Sequence, residues 1–274
     1  MAAVAARADT CDFLQRAVTR FRVPSEEWAD PLRCGVDLGT ATFVLAVIDA
    51  LGEPVYLDAR PASAVRDGVV VDFHGATEVV ARLKADAEAA LGQPLTAGAA
   101  AYPPGVGRSE SRACQFALER AGLDCVNLID EVSAANALLG LTDAVLVDVG
   151  GGSTGVGIIE GGELTEVGDL PGGGHHLDLI LAGALRIDVE VAERVKREDG
   201  GDYLHILRPG LERVATNIDR LSLGRDSLPI HLAGGALMIP GAGEVVSQYL
   251  ERPVVEYPHA LYITPFGIAR SITP

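Results

Sequence analysis

The sequence predicts an α/β protein with two lobes of repeated plan and an N-terminal helical arm. A strand, a glycine-rich turn and a second strand occur twice, once around residue 39 and once around residue 151. Segments with helical periodicity follow each copy, as is typical of α/β folds. The chain has 274 residues, enough for two cores, and its 48% hydrophobic but 5% aromatic content predicts that both cores are aliphatic.

The N-terminal arm covers residues 1–31 and is predicted to be an amphipathic helix with a linker. Its apolar residues recur at helical spacing between arginines, and Pro24 and Pro31 end the pattern. Because so short a helix is marginal in water by itself, its apolar stripe must pack on something. The stripe either covers the chain's own first lobe or docks in a groove of a protein partner. It consists of Phe13, Leu14, Ala17, Val18 and Phe21.

The first lobe is predicted to span residues 32–141 together with the tail, 260–274. Helices are expected where apolar residues recur every three or four positions, and Gly122 and Gly140 end two of them. Asp67-Gly68 forms the turn before one strand. The predicted strands are 33–38, 42–48, 54–57, 69–73, 97–102 and 126–129, and the helices are 76–91, 109–121 and 132–139.

The second lobe is predicted to span residues 142–259 and to repeat the plan of the first. A cluster of three glycines, residues 172–174, precedes its first helix, and Pro240-Gly241 opens its last. The predicted strands are 144–149, 154–160, 163–169 and 230–232, and the helices are 175–185, 188–198, 204–222 and 241–250.

Composition excludes several classes of partner. A formal charge of −16 argues against nucleic acid and against an anionic membrane surface, since both are bound by basic residues. The longest apolar runs fall short of the roughly 20 residues that span a bilayer, and we expect a cytoplasmic protein. The four cysteines do not follow a zinc-binding spacing and are expected to be reduced thiols.

The two glycine turns predict a site for phosphates. Residues 150–155 match the Gly-x-Gly-x-x-Gly dinucleotide pattern, but a strand follows the glycines where that fold requires a helix. The alternative is a hairpin whose successive backbone amides form an anion nest, which needs glycine for close approach. Either turn alone fits an ordinary hairpin equally well. Two matched turns that face each other would hold a polyphosphate in a nucleotide cleft, with hydroxyl donors from Thr40, Thr42, Ser153 and Thr154.

Three acidic residues are candidates for catalysis. Asp37 and Asp148 each precede a glycine turn, where a carboxylate would repel phosphate unless a cation lies between them. Mg²⁺ suits that place, since it binds one or two carboxylates plus substrate phosphates. Glu131 is a candidate for orienting the attacking water. It fits equally well as an acid at a helix N-terminus, stabilised by the helix dipole.

Further residues are candidates for binding the nucleoside. Gly234-Gly235 follow a strand and offer a flat surface for adenine or ribose. Glu193 and Lys196 share one helix face, so they either hydrogen-bond ribose or form a surface ion pair. His175 and His176 are adjacent and cannot share one helix face, so we do not expect them to chelate a metal together.

The order of these segments resembles the actin, Hsp70 and sugar-kinase ATPase superfamily, which has two ribonuclease H-like lobes around a nucleotide cleft. More narrowly, the chain is similar to the EutJ family, Hsp70-like proteins of ethanolamine-utilisation operons. The narrower resemblance is carried by Arg66 to Phe73, Pro103-Pro104-Gly105, Gly173 to His176, Lys196-Arg197 and Ile263-Thr264-Pro265. It implies ATP or ADP with Mg²⁺, and metal contacts from Asp37 and Asp148. The implied nucleotide-binding residues are Gly39, Thr40, Ala41, Thr42, Gly150, Gly151, Gly152, Ser153, Gly173, Glu193, Lys196, Gly234 and Gly235.

The resemblance also implies a function, with alternatives. The implied protein is an ATP-dependent chaperone or reactivating factor in a bacterial microcompartment, with a microcompartment enzyme or shell protein as its client. Hsp70-type proteins read Glu-Pro-Thr where this chain has Glu131-Val132-Ser133, so we expect Mg-dependent ATP hydrolysis to be slow or absent. The alternatives are a nucleotide-sensing scaffold without turnover, an actin-like filament protein and a small-molecule kinase. For the kinase, the sequence offers no catalytic base.

Overall fold

A computed structural model describes residues 8–66, 69–105 and 107–273 of the chain. These residues form two compact units, residues 8–140 with 262–273, and residues 141–261. We refer to them as the first and second units. The turn predicted at Asp67-Gly68 and the first seven residues of the arm lie outside the described residues.

The described elements alternate between strands and helices. The strands are β1 (Arg33–Leu38), β2 (Thr42–Ile48), β3 (Pro54–Pro61), β4 (Val65–Arg66), β5 (Val69–Val70), β6 (Ala97–Tyr102), β7 (Asp124–Asp130), β8 (Ala144–Val149), β9 (Ser153–Glu160), β10 (Glu163–Pro171), β11 (Ile230–Ala233) and β12 (Val254–Val255). The helices are α1 (Ala8–Val18), α2 (Phe73–Leu91), α3 (Arg108–Arg120), α4 (Glu131–Leu139), α5 (Gly174–Leu185), α6 (Val189–Asp199), α7 (Leu204–Leu221), α8 (Ala242–Leu250) and α9 (Ile263–Arg270).

Both units contain a five-stranded sheet of the same design. The order is β3-β2-β1-β6-β7 in the first unit and β10-β9-β8-β11-β12 in the second. In each, a central strand pairs antiparallel with the next strand of its hairpin and parallel with a later strand on its other side. This repeat follows from the repeated strand–turn–strand pattern of the sequence.

One predicted strand is wrong in the first unit. The strand expected at 69–73 ends at Val70, and Phe73 already begins α2. Asp72 is the cause, because its side chain accepts a hydrogen bond from the Gly75 amide at 2.9 Å and so caps the helix N-terminus. A run of three valines has high strand propensity, but the cap overrides it here.

The helix of the arm packs within its own unit. Phe13, Leu14 and Ala17 are buried, and the ring of Phe13 meets that of Phe266 on α9 edge to face, with centroids 5.2 Å apart. The Arg270 guanidinium lies 4.7 Å from the centre of the Phe13 ring. Of the two alternatives for the apolar stripe, the intramolecular one is therefore supported, and docking of these three residues on a partner is not.

The linker of the arm covers the edge of the first sheet. The Arg22 amide donates to the Leu57 carbonyl at 2.7 Å, and the Leu57 amide donates to the Arg20 carbonyl at 3.1 Å. This pairing satisfies backbone groups of β3, the edge strand, which would otherwise be open to other chains.

No helix among the described residues combines the length and the apolar character that crossing a membrane requires.

Candidate functional site

The first glycine turn joins β1 to β2 and is shaped by close backbone contact. A Cβ at Gly39 would lie 2.7 Å from the Thr42 carbonyl oxygen, so the turn excludes any side chain there. Asp37 pairs with Val44 in the hairpin and is partly exposed. Because β1 and β6 run parallel, Asp37 lies near the carboxyl edge of the sheet, where α/β folds bind ligands.

Glu131 lies at the same edge of the first unit. It is the first residue of α4, directly after β7, while Asp130 caps the helix by accepting a 2.8 Å bond from the Ser133 amide. Burial, together with the charges of Glu131 and Asp37, raises the pKa of the Cys114 thiol to about 12. Because β1, β6 and β7 run parallel, Asp37 near the end of β1 and Glu131 directly after β7 lie at the same edge of the sheet.

The second glycine turn joins β8 to β9 in the second unit. Its ends are held by the Gly150 amide, which donates to the Ser153 carbonyl at 3.1 Å. Asp148 pairs with Gly155 in the hairpin and is buried, with 8% of its surface exposed. The structure therefore places an aspartate one position before the last residue of the central strand in both units, as the sequence predicts.

Three carbonyl groups of the second turn are bound by the glycine cluster that precedes α5. The amides of Gly172, Gly174 and His175 donate to the carbonyls of Gly152, Gly150 and Gly151, at 3.0, 2.9 and 2.8 Å. Gly173 lies directly under the turn, where an added Cβ would collide with the Gly150 carbonyl oxygen. The cluster is thus a support for the turn, and this is why side chains are excluded from it.

Gly234 lies beside Asp148. The preceding residue, Ala233, pairs with Asp148 between β11 and β8. The φ of Gly234 is +83°, a conformation that favours glycine. A Cβ at Gly234 would collide with Asp148 Oδ1. Gly235 is more open, with its nearest neighbour for an added Cβ, Leu261 Cδ1, at 3.0 Å. The structure therefore assigns Gly234 a contact that the sequence did not predict.

The surface ion pair predicted as one alternative for Glu193 and Lys196 is wrong. Glu193 pairs with Arg197, with Nη2 and Oε1 2.5 Å apart. Lys196 is 8% exposed, and its Nζ lies 2.6 Å from Asp178 Oδ1 and donates to the Gly174 carbonyl at 2.9 Å. A spacing of three residues puts two side chains on one helix face, but the packing of α6 against α5 decides which partner each one meets.

Asp178, the buried partner of Lys196, is a residue that sequence reasoning missed. It lies in an apolar stretch of α5, four residues after Gly174, and is 5% exposed. Burial raises its pKa, an effect larger than the opposing effect of Lys196. An acidic residue inside an apolar helix was the available signal, but its partner could not be identified without the fold.

A metal centre built from protein side chains alone needs several His, Cys, Asp or Glu ligands close together. Within the described ranges, no three side chains of His, Cys, Asp or Glu come together as a protein-only metal centre would require. His175 is exposed and His176 is partly buried at the start of α5. The donor set near the turns is instead carboxylate next to backbone amides, which fits Mg²⁺ held jointly with phosphate oxygens.

Two family models match the sequence. The model described as MreB/Mbl protein matches residues 58–198, and the model described as cell division protein FtsA matches residues 145–265.

Individual relatives cover nearly the whole chain. Ethanolamine utilization protein EutJ of Escherichia coli (strain K12) is 38% identical over 259 residues, which is 94% of this chain and 92% of that protein. The crystal structure of EutJ from Carboxydothermus hydrogenoformans matches with a TM-score of 0.91 and 37% identity, over 96% of this chain and 98% of that one. MreB5 of Spiroplasma citri bound to AMPPNP matches with a TM-score of 0.71 and 17% identity, over 86% and 94%. The predicted actin/Hsp70-like fold class is confirmed by these structures.

Proposed function

The chain belongs to the EutJ family, and we propose that it is an Mg-ATP-binding chaperone or reactivating factor for an enzyme of ethanolamine utilisation. The name of the E. coli relative, ethanolamine utilization protein, supports the pathway, because the identity extends over 94% of the chain. The proposed location is the cytoplasm, in association with a microcompartment whose enzyme or shell protein is the client.

A single observation carries the nucleotide part of the proposal. The two units repeat one sheet order, and each places an aspartate just before a glycine turn at the end of its central strand. An ordinary hairpin does not require a carboxylate at that position, and a repeat that preserves both features favours one shared chemistry. A nucleotide-bound relative in the same fold, MreB5 with AMPPNP, supports the choice of ATP.

The phosphate groups are bound by backbone amides of the two turns. Residues 39–42 in the first unit and 151–153 in the second would supply these amides, with hydroxyl groups from Thr40, Thr42 and Ser153. The amide of Gly150 is not among them, because it donates to the Ser153 carbonyl within the turn. Gly39 and Gly173 are needed to pack these turns, since a Cβ at either would collide with a backbone oxygen atom of the protein.

Asp37 and Asp148 are the residues proposed to hold Mg²⁺, each at the end of the central strand of its unit. When bound, the ion would neutralise phosphate charge and so lower the electrostatic cost of phosphoryl transfer. Glu131 orients the attacking water, since it follows β7 at the edge of the sheet where Asp37 also lies. The nucleoside is assigned to Gly234, Gly235 and Glu193.

A thermal melt tests nucleotide binding. A ligand that binds the folded state at about 100 times its Kd adds about 2.7 kcal/mol to the free energy of unfolding. Mg-ATP and Mg-ADP should raise the melting temperature, and NAD should leave it unchanged. If neither adenine nucleotide raises it, the proposal is wrong, and a rise with NAD alone would restore the dinucleotide-binding interpretation.

The client is tested separately. A tagged chain, purified from cells that make microcompartments, should retain an enzyme or shell protein in ADP and release it in ATP. Nucleotide-dependent light scattering instead of client release would favour an actin-like filament. The charge of −16 opposes such self-association.

A further inference from the structure

We propose that Lys196 and Asp178 are positioning residues for phosphate binding, and that Lys196 does not contact the nucleoside. The inference rests on the proposed function, because it concerns the same nucleotide site. It replaces the nucleoside contact that the family resemblance implies for Lys196.

The ammonium group of Lys196 is already engaged. Its Nζ lies 2.6 Å from Asp178 Oδ1 and 2.9 Å from the Gly174 carbonyl oxygen. Lys196 is 8% exposed and Asp178 is 5% exposed. Turning the ammonium group toward a ligand would leave the Asp178 carboxylate buried without its partner, which is strongly unfavourable.

The pair anchors the peptide groups that support the phosphate turn. Lys196 binds the carbonyl of Gly174, whose own amide donates to the Gly150 carbonyl at 2.9 Å. The next amide, that of His175, donates to the Gly151 carbonyl at 2.8 Å. The first turn of α5 is therefore held on one side by the ion pair and on the other by the glycine turn.

Anchoring these carbonyls fixes the amides that would bind phosphate. A trans peptide group is planar, so its carbonyl and the amide of the following residue point in opposite directions. When the carbonyls of Gly150, Gly151 and Gly152 point to the glycine cluster, the amides of Gly151, Gly152 and Ser153 point away from it. By binding the Gly174 carbonyl, Lys196 holds the peptide group whose amide, that of His175, binds the Gly151 carbonyl, and so it helps to orient these donors without touching the ligand.

The local space supports a positioning role. An added Cβ at Gly174 would lie 3.2 Å from Lys196 Nζ, so the ammonium group sits directly against the backbone of the cluster. Its charge is balanced by Asp178, so it is not a free cation for phosphate. A buried ion pair contributes little net stability by itself. We therefore assign this pair to the orientation of the glycine cluster.

Titration calorimetry with two probes separates the possible roles. Mg-tripolyphosphate has the phosphates of ATP without the nucleoside, and Mg-ATP has both. Lys196→Met should weaken binding of both probes by the same factor, about 10- to 100-fold, as is usual for loss of a residue that orients a binding group. Arg194→Met, which removes an exposed cation from the same helix, should change neither.

A double variant protects the test against misfolding. Asp178→Asn with Lys196→Met removes both buried charges at once, so neither is left unpaired. It should keep the wild-type melting temperature, lose tripolyphosphate binding, and show faster hydrogen exchange at the Gly174 and His175 amides alone. Unchanged tripolyphosphate binding in this variant overturns the inference.

Two other results would also overturn it. If Lys196→Met weakens Mg-ATP but not Mg-tripolyphosphate, Lys196 is a nucleoside ligand. If the wild type binds Mg-ATP but not tripolyphosphate, the turn does not drive binding and its positioning is irrelevant. A wild type that binds neither probe refutes the proposed function itself, and this is seen before any variant is made.

Discussion

The ring of Phe13 on α1 packs against the ring of Phe266 on α9 at 90°, with centroids 5.2 Å apart. Phe13 is 4% exposed and Phe266 is fully buried. Phe13→Ala should therefore lower the free energy of unfolding by about 3–5 kcal/mol, the usual cost of emptying an aromatic site. Phe21→Ala is the matched control, since Phe21 is 36% exposed, and it should cost less than about 1 kcal/mol. Urea denaturation measures both, and equal losses would contradict the packing described for the arm.

Gly173→Ala should impair phosphate binding. The added Cβ would collide with the Gly150 carbonyl oxygen and push the glycine turn out of place. We expect about a tenfold or greater loss of Mg-ATP affinity, and a loss of stability of about 1–3 kcal/mol from overpacking. In Gly183→Ala, within the helix α5 that Gly173 precedes, the Cβ meets no atom within 4 Å, so this variant should bind normally and be slightly more stable. Normal binding by Gly173→Ala, measured by calorimetry, would show that the cluster does not support the site.

Glu131→Gln should slow ATP hydrolysis while Mg-ATP affinity stays unchanged. The amide keeps the shape of the side chain but loses the charge that orients water, and losses of about 100-fold are typical for such groups. Glu190→Gln is the control, because Glu190 is also an acid in the first turn of a helix, α6. Single-turnover phosphate release measures the rate. If Glu131→Gln and the wild type hydrolyse ATP at equal rates, Glu131 does not orient water and acts only as an acid at a helix N-terminus.

His231 should make the second unit sensitive to acid. It is 4% exposed, its Nδ1 lies 2.7 Å from the Tyr257 hydroxyl, and burial lowers its pKa to about 4. The unfolded chain, with an ordinary histidine pKa of about 6.5, therefore binds a proton in a pH range where the folded chain does not. The free energy of unfolding should fall by about 3 kcal/mol from this group as the pH drops from 6.5 to 4.

Urea denaturation at pH 7 and pH 4.5 checks this dependence. His231→Gln removes the titrating group, so it should lose less stability on acidification than the wild type does. His205→Gln, at an exposed histidine, should keep the wild-type dependence. If His231→Gln and the wild type lose equal stability, the histidine does not contribute.

The sequence predicts the hairpins because their pattern is local. In each hairpin the aspartate, the glycines after it and the two strands belong to one short segment, 33–48 or 144–160. Three of the four strands have the predicted bounds, and β9 begins one residue earlier than predicted. The Asp178–Lys196 pair is different, because it depends on how two helices pack. Residue spacing offered only two alternatives for Lys196, an ion pair with Glu193 or a hydrogen bond to ribose. The start of α2 was missed for a local reason, since the Asp72 cap competes with strand propensity in the run that follows β5.

Calorimetric titration of Mg-ATP into the wild type and Asp148→Ala tests the central claim most directly. The wild type should bind one nucleotide, and excess EDTA should weaken that binding. Asp148→Ala should stay folded but lose the Mg-dependent part, whereas Asp202→Ala, at an exposed aspartate, should bind as the wild type does. Absence of binding by a folded wild type, or Mg-dependent binding that survives in Asp148→Ala, would contradict the account.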